Sequence, residues 1–157
     1  MNEFRSISDL LELAIRIERC LLDFYKRMND QIQHHFGTAQ FADLASAEQA
    51  HIVMLRRFLD SCRDDDSKFN LKGEQNKSQN KLVSHAMRIF NRAEEMTKTD
   101  DALEALSIGT ESEIESIQFF TGLRDLFFGE HHDLITRILY DEESHLLKLI
   151  ATTEKVE

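Results

Sequence analysis

At 157 residues, 41% of them hydrophobic, the chain is long enough to bury a substantial core without disulfide staples and reads as a single domain over residues 1–157. It has no proline, no tryptophan and only five glycines, while Leu, Ile, Glu, Ala and Arg recur at helical spacing, which excludes a sheet-rich fold and points to an all-α one. A formal charge of -10 argues against nucleic acid or an anionic membrane surface as partners, because both select clustered Lys and Arg.

The first ten residues lack a charged-then-apolar leader pattern, and no apolar run reaches the ~20 residues of a membrane span, so the chain is expected to be soluble and cytoplasmic. Cys20 and Cys62 form no Cys-x-x-Cys pair, which suits a reducing compartment and rules out a Cys-based zinc or rubredoxin-like site. The first helix is expected to start at Ser6, whose hydroxyl caps the opening turn with Asp9 three residues on. Its inward stripe runs Leu11, Ala14, Ile15, Glu18, Leu22, Tyr25, with Glu18 as the one charged intruder. A second apolar line, Leu13, Ile17, Cys20, Leu21, Phe24, Met28, is more than one bundle interface needs. It would face the crossover segment or another subunit, and a homodimer or larger homo-oligomer is expected.

The chain turns within residues 30–38, where Gly37 breaks the pattern, and the second helix carries Phe41 to about Cys62. Inside its apolar run of Phe41, Leu44, Ile52, Leu55 and Leu59 sits Glu48-Gln49-Ala50-His51. A carboxylate and an imidazole three residues apart share one helix face, and here that face points inward. Residues 63–81 are polar and read as a surface connection. Their Asp run does not make an EF-hand, since a loop from Asp64 would want Gly where Phe69 stands and Glu where Gln75 stands. Leu82, Val83, Ala86, Met87, Ile89 and Phe90 then predict a shorter helix lying along the bundle.

The next long helix opens near Asp101, with Glu104 three residues on, and keeps Leu106, Glu113, Ile117, Phe120 and Phe127 on one face. Gly129 is expected to end it, and the last helix to run from about His131 to Thr152. That helix repeats the earlier phrase as Glu142-Glu143-Ser144-His145, between Leu134, Ile138, Leu146 and Leu149. Glu94, Glu95, Glu111 and Glu115 fit solvated faces, and the pairs His34-His35 and His131-His132 fall at hairpin turns on opposite ends of the molecule, as surface histidines.

The halves match. Shifted by 95, Glu18 to Tyr25 falls on Glu113 to Phe120, and shifted by 94, Leu44 to Leu55 falls on Ile138 to Leu149. The chain is therefore a duplicated helical hairpin. Glu18 and Glu48 are 30 residues apart and Glu113 and Glu142 are 29 apart, so each pair can meet at mid-height of its hairpin. The residues between Cys62 and Asp101 suffice for the single long crossover of ferritin-like four-helix bundles.

Four carboxylates (Glu18, Glu48, Glu113, Glu142) and two imidazoles (His51, His145) at mid-bundle are the set that a two-metal carboxylate site requires. Four glutamates and two divalent ions sum to neutrality, which removes the main objection to burying them. Oxygen-rich ligation with one imidazole per metal suits iron or manganese better than structural zinc.

With these motifs the chain resembles the rubrerythrin branch of the ferritin-like di-iron carboxylate superfamily over roughly residues 7–62 and 101–153. The resemblance implies Glu18, Glu48, His51, Glu113, Glu142 and His145 as ligands of two iron ions, with manganese as the alternative metal. It also implies that Tyr25, whose repeat counterpart is Phe120, hydrogen-bonds a ligand carboxylate. Ser116 stands where many rubrerythrins carry an additional ligand glutamate, and the rubredoxin-like Cys cluster is absent, so electrons are expected from a separate donor protein or a small reductant. The expected function is that of a non-haem di-iron oxidoreductase reacting with dioxygen or peroxide, with Phe119, Phe120 and Phe127 keeping part of the surroundings dry. An iron-storing, buffering or sensing protein without turnover, and a metal-free structural bundle, are the alternatives from other classes.

Overall fold

The computed structural model describes residues 6–36, 39–63 and 76–156, and among them five helices and no strand. These are α1 (Ile7–Phe36), α2 (Ala39–Arg63), α3 (Asn76–Met96), α4 (Ala102–Arg124) and α5 (Gly129–Val156). Both expected helix starts are capped. The Asp9 N–H donates to Ser6 Oγ at 3.2 Å, and Asp101, in extended backbone, accepts from the Leu103 N–H at 3.0 Å. Each cap satisfies a backbone donor that the helix itself cannot.

α1 packs along α2 and α4 along α5 as two hairpins, and the inward stripes of all four helices meet in one core. The result is an all-α, ferritin-like four-helix bundle made of two hairpins joined by a long crossover. α3 belongs to that crossover and lies against α1 and α4. It begins at Asn76, inside the stretch expected to be an irregular connection, while residues 64–75, and with them the Asp run, lie outside the described residues.

The second apolar line of α1 is covered by α3. Leu21 and Phe24 share a small cavity of about 170 Å³ with Ile89, Ala93 and Met96. At its ends the Arg16 guanidinium stacks 4.3 Å over the Phe90 ring and Arg27 donates to the Thr97 carbonyl at 3.1 Å. Two acids expected on solvated faces also tie α3 to α4: Glu115, half-buried, meets His85 at 2.5 Å, and Glu111, exposed as expected, meets Arg92 at 2.6 Å. The periodicity of α4 could not show this, because the partners stand on a helix whose placement only the fold decides.

Gly129 does not end α4. That helix closes at Arg124, where the Asp125 N–H bonds the Leu123 and Thr121 carbonyls, and Gly129 opens α5 at φ +61. A left-handed backbone there carries no Cβ penalty, so the glycine sets the turn between the helices rather than a terminus. Gly37 falls outside the described residues, and so do the side chains of His34 and His35. Among the described residues, no helix is long and apolar enough to cross a membrane.

Candidate metal centre

Glu18 comes from α1, Glu48 and His51 from α2, Glu113 from α4, and Glu142 and His145 from α5. The Glu-x-x-His spacing puts carboxylate and imidazole one turn apart on the same inward face, and the 94- and 95-residue repeat puts both hairpins in register. The structure brings all six side chains together at mid-bundle, each of the glutamates fully buried and the histidines nearly so.

His51 turns Nδ1 inward, 2.9 Å from Glu18 Oε2, 3.0 Å from Glu142 Oε1 and 3.4 Å from Glu48 Oε2. His145 does the same, with Nδ1 2.7 Å from Glu48 Oε1 and 3.7 Å from both Glu113 Oε1 and Glu142 Oε2. The two rings stack nearly parallel with centroids 6.1 Å apart. Donor atoms fall into two overlapping sets: Glu18, Glu48, His51 and Glu142 converge within 4.8 Å of one another, and so do Glu48, Glu113, Glu142 and His145. Glu48 and Glu142 belong to both sets, while Glu18 and Glu113 each belong to one. No other such group occurs among the described residues.

Two further side chains hold this arrangement from outside. The buried Tyr25 hydroxyl donates to Glu113 Oε1, and its ring meets that of His145 edge-on at 5.8 Å. Asp141, whose side chain is largely exposed, accepts from Nε2 of His51 at 2.9 Å. A carboxylate on Nε2 holds the proton there, so Nδ1 is the nitrogen that would give up its proton to a metal at the centre. Sequence reading missed Asp141. Its only signal was an acid immediately before the Glu-x-x-His of α5, where the α2 copy has Ala47.

The electrostatics are those of a group of acids that lacks enough positive charge. Burial, then the neighbouring Glu142 and Glu48, pushes the Glu18 carboxyl well above the usual range. Burial and Glu142 do the same to Glu113. Glu142 goes the other way: burial opposes its ionisation, but the neighbouring Glu113, His145 and His51, the last within hydrogen-bond distance, hold it well below. Burial alone would lower both histidines, yet the surrounding carboxylates outweigh it, raising His51 strongly and His145 to about 12.

Even so, the cluster is not satisfied from within. Glu18 Oε1, both oxygens of Glu48, Glu113 Oε2, Glu142 Oε2 and His145 Nδ1 are buried without a hydrogen bond. Glu48 Oε1 and His145 Nδ1 lie 2.7 Å apart but off the hydrogen-bonding direction, so their contact is that of an ion pair and leaves both atoms without a hydrogen bond. Each buried, unsatisfied polar atom costs about 1–3 kcal/mol, more when charged. Cations at the meeting points of the two sets would use these atoms at once, so the residues fit bound metal.

The other sequence candidates lie elsewhere. The half-buried His131 packs edge-on against Phe58 at 4.5 Å, which makes it part of the bundle end rather than a surface histidine, and His132 stands 3.6 Å from Asp133. Phe119 and Phe120 are fully buried, whereas Phe127 joins the Phe58–His131 cluster. Cys62 is buried, and Cys20 lines the small cavity under α3.

A family model described as Rubrerythrin matches residues 9–152. No curated protein and no solved structure matches the chain.

Proposed function

Since the chain belongs to the rubrerythrin family and carries a buried metal-binding cluster of glutamates and histidines, we propose that it is a non-haem di-iron oxidoreductase that reacts with dioxygen or peroxide. The observation that carries this reading is the pair of overlapping donor sets with Glu48 and Glu142 in common. Glu18 and His51 would complete one metal position, Glu113 and His145 the other. Two ferrous ions held there supply one electron each to an oxidant that needs two.

The chain's own groups prepare that chemistry. Glu48 and Glu142, which belong to both donor sets, would be shared by the two positions. Tyr25 donates to one oxygen of Glu113 and so fixes the orientation of this carboxylate at the edge of the cluster. Asp141 holds the His51 ring in its metal-facing orientation. Phe119 and Phe120, packed edge-on at 5.4 Å and fully buried, help exclude bulk water from that side. The two cysteines form no redox pair in the sequence, so the electrons that restore the ferrous state come from a separate donor protein or a small reductant.

Anaerobic loading with Fe(II), followed by rapid mixing with dioxygen or with peroxide, tests the proposal. The expected result is fast oxidation of two irons per chain and repeated turnover once a reductant is added. Oxidation no faster than that of free Fe(II) would refute it, and a single oxidation without turnover would leave storage or buffering as the function.

A further inference from the structure

The internal repeat predicts a symmetric centre, but the residues around it break that symmetry twice, in the same direction. His51 has a carboxylate on its outward nitrogen, Asp141 at 2.9 Å. Moving Asp141 back by 94 residues gives Ala47, which has no carboxylate to offer His145. Conversely, Glu113 gives one oxygen to the Tyr25 hydroxyl, while the repeat places Phe120 where Glu18 would need such a donor. Glu18 Oε1 accordingly has no hydrogen bond.

We propose that the two metal positions are unequal and fill in order, the set Glu18–Glu48–His51–Glu142 taking the first divalent ion and the set with Glu113 and His145 the second. The proposal rests on the di-metal reading above. A histidine held in one orientation loses less freedom on binding, and its basicity rises when a carboxylate accepts its other proton. Glu18 has its Oε1 without a partner and its Oε2 bonded only within the cluster, to His51, whereas a carboxylate that already accepts a hydroxyl proton from outside is a poorer donor. Once an ion occupies the first set, Glu48 and Glu142 have given it part of their charge, and the second ion meets less. Asp141 is a positioning residue in this account. It lies at the surface, so replacing it leaves the core packing intact.

The test is anaerobic calorimetric titration of the metal-free protein with Fe(II), which reads binding and not turnover. The parent should show two steps. His145→Ala should keep the first step and lose the second, while His51→Ala should lose the first. Asp141→Ala should weaken the first step by ~10–100-fold, the usual effect of removing a partner behind a metal ligand, and leave the second alone. Asp141→Asn, which keeps an acceptor for Nε2–H without its charge, should fall between. In the pair Ala47→Asp with Asp141→Ala, the tight step should come to depend on His145. Equal weakening of the first step by His51→Ala and His145→Ala, or a parent-like isotherm for Asp141→Ala, would overturn the order of filling while leaving the di-metal reading in place. No binding by the parent would overturn both.

Discussion

Loading the centre should expel protons, and the number is set by the four groups whose affinity for protons the fold raises. Burial and the neighbouring carboxylates raise the proton affinity of Glu18 and Glu113 in the metal-free core, and the carboxylates raise that of His51 and His145 against the effect of burial. Ligation requires ionised carboxylates and neutral imidazoles, so loading releases the protons these groups hold, up to about four in all. Glu142 contributes none, since it is already ionised. Each proton released per ion makes affinity strengthen ~tenfold for each pH unit of increase. Calorimetry at pH 7 in buffers of different ionisation enthalpy reads the count from the slope of apparent heat against buffer enthalpy. A release of less than one proton per chain, or an affinity that does not rise with pH, would refute the assignment of protons to these four groups.

The same shifts predict how the metal-free protein responds to pH. All four groups bind protons more tightly folded than unfolded, so they stabilise below their ordinary values of 4.5 and 6.5 and lose that contribution as pH rises toward the folded ones. The thermal midpoint of metal-free protein should therefore fall between pH 5.5 and 8 while that of loaded protein does not. Tyr25→Phe removes the hydroxyl that donates to buried Glu113 and should cost the metal-free protein about 1–3 kcal/mol in denaturant unfolding. His51→Ala and His145→Ala should each slow rapid Fe(II) oxidation by at least ~tenfold, and His131→Ala, whose ring packs on Phe58, should leave it unchanged. A Cβ added at Gly109 would collide with the buried Phe24 ring beside Tyr25, so Gly109→Ala should destabilise by about 1–3 kcal/mol despite the better helix former, read from the denaturation midpoint.

Much of this molecule is legible in the chain because the duplication writes its core twice. A charged residue inside an apolar stripe stands out once, and four of them at matching offsets stand out far more, so Glu18, Glu48, Glu113 and Glu142 could be picked from the sequence and found together. Ser6 and Asp101 were readable as caps because capping is local chemistry. Contacts between hairpins were not. Periodicity places a residue on a face but does not say which face of the other hairpin it meets. Hence Asp141 looked like an ordinary surface acid until α2 placed His51 against it, and the sharing of Glu48 and Glu142 by both donor sets emerged only in three dimensions. For the same reason Glu115 read as solvated while His85 of α3 was waiting to pair with it.

The central claim is that the buried glutamates and histidines hold two metal ions with Glu48 and Glu142 between them. Anomalous diffraction at the iron edge, from crystals of protein loaded anaerobically with Fe(II), tests it most directly. The account predicts two peaks in the bundle core, one beside Nδ1 of His51 and one beside Nδ1 of His145, both bordered by Glu48 and Glu142. A core without anomalous density, from protein that folds and crystallises in the same solution, would contradict it.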